Sequence, residues 1–241
     1  LTLRERPFYK IKDGAYRIIF DLFVVEKIFK GMYFLLRDIN NKLTEDKKVS
    51  EFKSFYGNHF SEKILLYKVL ELIYPGDCVR FSGKDLEERK IKGAPDYYLR
   101  KGNNILLFES KDFLIPAAIK ESFDYNKYEN EFEKKLYFEV VNGEEKNKAV
   151  MQLIDKDYFY REVSIFPILI VHDHQYDAAG FNVLLNYWFQ AELELLHEEG
   201  FYIKNVKPLV VVNIDSLFYH QLGLQKKKSL HYVLNEFIKH I

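Results

Sequence analysis

The sequence predicts an α/β fold, a mixed β-sheet flanked by helices, and three observations predict it. An apolar run, Ile105–Phe108, follows Gly102-Asn103, a dipeptide that favours a two-residue hairpin turn. Two further apolar runs, Phe166–Val171 and Pro208–Ile214, read as buried strands. Between them, residues 181–199 carry a helical apolar period closed by Gly200. An antiparallel hairpin followed by strand–helix–strand crossovers makes a mixed sheet covered by helices.

In chain order, residues 14–40 read as a helix, because Ile18, Leu22, Val25, Phe29, Met32 and Leu36 recur at three- and four-residue steps. Polar residues 40–48 read as a linker, so residues 1–48 are expected to form a helical N-terminal extension and residues 49–241 the main domain. Residues 59–73 predict a helix with Ser61 as N-cap and Phe60, Ile64, Tyr67, Leu70 and Ile73 as its apolar stripe, ended by Pro75-Gly76-Asp77. A short strand is expected at 78–82 and a solvated charged run at 84–92. The hairpin strands run Asp96–Arg100 and Ile105–Lys111. Residues 120–135, rich in aromatic and charged side chains, read as helix or insertion, and a helix is expected over 144–156. The helix at 181–199 should bury Leu184, Tyr187, Trp188, Ala191 and Leu195, and a last helix is expected over Leu230–Ile241.

Composition bounds the function. The 241 residues include 36 acidic and 36 basic side chains, with 48% hydrophobic residues, which is material for a folded core and excludes a disordered chain. A net charge of zero argues against a protein that coats nucleic acid by bulk charge, while leaving room for a local basic strip. The single cysteine, Cys78, permits no intramolecular disulfide or cysteine metal cluster and reads as structural, which suits a reducing, cytoplasmic setting. No apolar run reaches the ~18 residues that span a bilayer, so no membrane partner is expected. No signal peptide is expected in this stretch, and a first residue of Leu1 rather than Met is compatible with an excerpt of a longer protein.

The chemistry concentrates at the hairpin. Glu109 and Lys111 are two residues apart at the end of an apolar strand, so they point to one face. With the turn at Gly102-Asn103, Asp96 falls opposite Glu109. Opposed carboxylates repel, and buried charges need a partner or a metal. Two acids able to hold a divalent cation beside a lysine able to serve the reacting group suit phosphodiester hydrolysis.

Gly93-Ala94-Pro95-Asp96, twelve intervening residues, then Glu109-Ser110-Lys111 resembles the PD-(D/E)xK signature of the restriction-endonuclease-like nucleases. The resemblance covers roughly residues 55–215. It implies a restriction-endonuclease-like core, Mg²⁺ or Mn²⁺ as cofactor, and cleavage of DNA or, less often, RNA. By it, Asp96 and Glu109 would be metal ligands and Lys111 the catalytic lysine. Many members carry a glutamate after a Gly-x-x-Phe pattern on the first core helix. Gly57-Asn58-His59-Phe60-Ser61-Glu62 looks like that pattern with one extra residue, making Glu62 the fourth member and a further metal ligand, with Glu71 its competitor. A glutamine on the helix after the lysine strand, found in some branches, would be Gln152. The family leaves room for a homodimer. The alternative is a catalytically silent nucleic-acid-binding module on the same fold.

Other features read blandly. His172-Asp173-His174 could bind zinc but lacks a third partner, so a polar loop is the preferred reading. Arg89, Lys90, Lys92, Arg100, Lys101 and Lys226–Lys228 could meet phosphates but read first as solvated surface. The aromatics from Phe123 to Tyr128 could stack on bases but read first as core. A Gly-rich phosphate loop and a nucleophile elbow are both missing, which removes NTPase and α/β-hydrolase readings.

Overall fold

The structure, a computed structural model, describes residues 6–90, 94–141, 144–147, 162–173, 176 and 180–240. The chain divides into two compact units, residues 1–58 and 59–241.

The first unit starts with a hairpin, β1 (Phe8–Lys12) paired antiparallel with β2 (Ala15–Ile18), followed by α1 (Asp21–Asn41) and α2 (Phe52–Tyr56). The helix expected from residue 14 therefore begins at residue 21. Asp13-Gly14 makes the hairpin turn, with Gly14 at φ +72°, a conformation glycine adopts without Cβ strain. The segment read as a linker is held at its ends. The buried Asn40 side chain accepts the Val49 N–H at 2.8 Å and donates to the Val49 carbonyl at 2.9 Å. Tyr33 packs against Phe52 and Tyr56, joining α1 to α2.

The second unit is built on a five-stranded mixed sheet. Its strands are β3 (Val79–Ser82), β4 (Tyr97–Lys101), β5 (Asn104–Lys111), β8 (Ser164–Val171) and β9 (Val210–Asn213), adjacent in that order. The pairs β3–β4 and β4–β5 are antiparallel, and β5–β8 and β8–β9 are parallel. A separate hairpin, β6 (Phe138–Val141) with β7 (Glu144–Asn147), lies in the β5–β8 crossover. β7 replaces the start of the helix expected over 144–156, and the rest of that span, with Gln152, lies outside the described residues.

Two apolar layers cover the sheet. Ile105 and Leu107 belong to one, with Ile165, Leu169 and the helix α7 (Phe181–Glu198). Leu106 and Phe108 belong to the other, with Leu99, Ile168 and the helices α3 (Tyr67–Ile73), α8 (Ile214–Lys226) and α9 (Leu230–Ile238). Strand alternation sends consecutive β5 side chains to opposite layers. α7 buries Phe181, Leu185, Phe189 and Leu193, whereas Tyr187 and Leu195, expected inside, are exposed. This helix is apolar on both sides, so periodicity alone offers two stripes. Asn182 settles its seat: its side chain donates to the Leu209 carbonyl at 3.0 Å and accepts the Val211 N–H at 2.7 Å. These bonds satisfy the outer edge of β9, which would otherwise present unpaired backbone groups.

Short helices fill the connections. α4 (Gly83–Glu88) occupies the run read as a solvated stretch and is nucleated by a capping box between Ser82 and Asp85. α5 (Ala117–Ser122) and α6 (Tyr125–Phe132) follow β5. Here Tyr128 and Phe132 pack on the core, but Phe123 is 93% exposed and Tyr125 66% exposed, against the expectation of a packed aromatic cluster.

Candidate active site

The hairpin places the acids as its sequence dictates. β4 and β5 pair Lys101 with Asn104 and Tyr97 with Phe108, a register that carries Asp96 to the position opposite Glu109. The turn holds Gly102 at φ +58°, and Asn103 is not among the residues with positive φ. A positive φ at the first central position alone is the type II′ pattern, for which glycine is the natural occupant.

Glu109 shares its face with Ile105 and Leu107 and is 1% exposed. The Lys111 ammonium lies 2.9 Å from its Oε1, so the two side chains share a face. Asp96 stands just before β4. Its Oδ2 accepts the Ser110 N–H at 2.7 Å, so a carboxylate rather than a backbone carbonyl ends the ladder. The Asp96 carbonyl accepts the Gly83 N–H at 2.7 Å and lies 2.9 Å from the Tyr67 hydroxyl. A Cβ at Gly83 would stand 3.3 Å from that carbonyl oxygen, a tight contact that glycine avoids. Asp96 is thus fixed through both its backbone and its side chain.

Glu62 comes from the helical segment Gly57–Leu66, which is π-helical and runs into α3. The apolar stripe expected across it is displaced: Leu66, Val69, Leu70 and Ile73 are buried, while Ile64 is 52% exposed. Ser61, expected as N-cap, instead lies inside the segment and donates to Asp112 Oδ2 at 2.6 Å. A π turn, hydrogen-bonded i→i+5, takes up one residue more than an α turn. Glu62 Oε1 accepts the Tyr67 hydroxyl at 2.5 Å.

The charges couple. Burial pulls the Lys111 amine down, but the carboxylates of Glu109 and Asp96, with Glu62 behind them, outweigh burial and hold it above its ordinary value. The Glu62 carboxyl is pushed up by burial and then by the Asp96 charge, with Tyr67 and the nearby lysines opposing. Burial and the Glu62 contact also push the Tyr67 phenol up.

Asp96, Glu109, Lys111 and Glu62 therefore act on one another. Glu71, the competitor of Glu62, is half exposed, pairs with Lys68 at 3.1 Å, and is absent from the charges acting on Lys111. It lines, with Tyr67, Arg80 and Tyr97, an open cleft of about 600 Å³. Two partners were not foreseen. One is Tyr67. The other is His172, whose Nε2 lies 2.8 Å from Ser110 Oγ, bringing the end of β8 against the peptide between Glu109 and Lys111. His174 lies outside the described residues. Arg89, Lys90, Lys101 and Lys226–Lys228 are exposed, as a solvated surface requires.

The donor set suits a hard cation. Among the described residues, no three His, Cys, Asp or Glu side chains form a group able to hold a metal ion, so the three-carboxylate set of Asp96, Glu109 and Glu62 is not assembled as such. Mg²⁺ commonly binds through one or two carboxylates and keeps several waters. Asp96, whose Oδ2 takes the Ser110 N–H, and Glu109, whose Oε1 meets Lys111, would offer such an ion oxygen donors alone.

No helix among the described residues is long and apolar enough to cross a membrane. Comparison with known proteins finds no matching family model, no similar curated protein and no similar solved structure.

Proposed function

We propose that this chain is a metal-dependent nuclease of the restriction-endonuclease-like kind, acting on DNA. One observation carries the reading: a carboxylate–ammonium pair, buried Glu109 with half-buried Lys111, flanks the Ser110 peptide whose N–H holds a second carboxylate, Asp96. An apolar strand end has no structural need for two acids and an amine, and such groups are costly to bury. The order of elements also supports the reading, with a helix, a three-stranded antiparallel meander and then a parallel strand.

Asp96 and Glu109 would hold Mg²⁺ or Mn²⁺, which supplies Lewis acidity and a more acidic bound water. Lys111 works as a cation. In the ion-free protein Glu109 and Asp96 hold its amine above the ordinary value, and beside the ion it would orient the attacking water or a phosphate oxygen and balance growing negative charge. Glu62, with a carboxyl raised by burial, is a stronger base than an ordinary glutamate and is suited to receive the water's proton. Asp96 is pinned by Gly83, Tyr67 and Ser110, so its carboxylate needs little reorganisation.

The test is cleavage of plasmid and single-stranded DNA with and without Mg²⁺ or Mn²⁺. Cleavage only with the ion, abolished in Lys111→Ala and Asp96→Ala, is expected. Nucleic-acid binding without cleavage would point to the catalytically silent module instead. Unchanged cleavage in both variants would overturn the site.

A further inference from the structure

Glu62 and Tyr67 are five residues apart, and in an α-helix that spacing separates side chains by about 140° around the axis. Side chains three and four apart are the neighbours there. Here the segment Gly57–Leu66 is π-helical. Its i→i+5 bonding brings residues five apart onto one side of the helix, and the hydroxyl of Tyr67, the first residue of α3, meets Glu62 Oε1 at 2.5 Å. The same hydroxyl lies 2.9 Å from the Asp96 carbonyl. The ring has little freedom, packing 5.1 Å from Tyr97, which in turn meets Phe108 in the sheet core.

We infer that the π-helical turn and Tyr67 form a positioning device that holds Glu62 in line with Asp96 for work at the cation. The inference rests on the nuclease reading and deepens it. A free glutamate side chain samples many rotamers, and ordering it at the moment of binding weakens binding. Tyr67 orders it beforehand. Both ends of the device are anchored to the site, one at the Glu62 carboxylate and the other at the backbone of the Asp96 ligand. Tyr67 is a positioning residue, because its hydroxyl acts through Glu62. Glu62 would then supply a preset carboxylate beside the cation that Asp96 and Glu109 would hold.

The experiment compares wild type, Tyr67→Phe, Glu62→Ala and the double variant in plasmid cleavage across a Mg²⁺ titration, with thermal unfolding of each. Phenylalanine keeps the ring and its packing. Tyr67→Phe is expected to raise the half-saturating Mg²⁺ concentration about tenfold, a typical cost of removing a group that orients the residues around an ion. Cleavage at saturating Mg²⁺ should fall too, but by less than in Glu62→Ala, since Glu62 is still present and only less ordered. Against Glu62→Ala the same change should have a smaller effect, the remainder reporting the hold of the hydroxyl on the Asp96 carbonyl. An equal Mg²⁺ shift in both backgrounds overturns the inference, as does a Tyr67→Phe protein that fails to fold, since the hydroxyl would then be structural. A wild type that shows no metal-dependent cleavage sinks the nuclease reading and this inference with it.

Discussion

The Lys111 ammonium stands 2.9 Å from the carboxylate of Glu109, its neighbour but one on the same strand. Glu109 is 1% exposed and the Lys111 side chain 26% exposed, so the pair has a buried end and an end that water reaches.

Lys111→Met removes the cation and leaves Glu109 buried with Asp96 and Glu62 nearby. Breaking a fully buried pair costs about 3–5 kcal/mol, and the solvent access of Lys111 reduces this to about 2–3 kcal/mol. Urea unfolding should show that loss without divalent ions. Millimolar Mg²⁺ should restore part of it, because an ion that binds only the folded state stabilises it. A variant that loses stability but is indifferent to Mg²⁺ would argue against the ion site.

Glu62 gives a pH dependence with a defined sign. Its folded carboxyl is raised above the ordinary 4.5, by burial first and the Asp96 charge second. A raised acid binds its proton more tightly when folded, so its contribution is fully present below pH 4.5 and fades as pH climbs through the folded value. Glu62→Gln keeps an acceptor for Tyr67 and abolishes the titration. The variant should gain stability relative to wild type as pH rises from 4 to 8, measured by chemical denaturation at each pH. A difference independent of pH would show that Glu62 titrates normally.

Gly102 controls the register that sets Asp96 opposite Glu109. At φ +58° a valine would meet its own backbone, at a cost of about 1–2 kcal/mol. Gly102→Val is expected to lower the thermal midpoint and to reduce Mg²⁺-dependent cleavage along with it. A variant as stable as wild type would mean that the turn accepts another conformation.

The hairpin was readable because two local signals agree on it: the Gly102-Asn103 turn and a strand period of two. Their agreement fixes the pairing, and the pairing brings Asp96, Glu109 and Lys111 together. Glu62 was readable only as a pattern with a residue too many, since nothing in a helical period announces a π turn. Tyr67 escaped for the same reason, being on the wrong side of an α-helix built on that sequence. His172 and Asp112 escaped because their partners, Ser110 and Ser61, are set by tertiary packing. The N-terminal hairpin was legible in Asp13-Gly14, but the apolar period that runs through Ile18 obscured it. α8 was missed because Ile214 ends an apolar strand run while Asn213 already caps the helix.

A parallel connection between neighbouring strands needs about a dozen residues, and residues 112–163 between β5 and β8 supply several times that. Asp96, Glu109, Lys111, Glu62 and Tyr67 all precede this stretch. The hairpin and the helix before it therefore set where Asp96, Glu109, Lys111 and Glu62 meet, in a portion of the chain that comes before the crossover, while the crossover contributes Ile115, Leu136, Tyr128 and Phe132 to the core beneath.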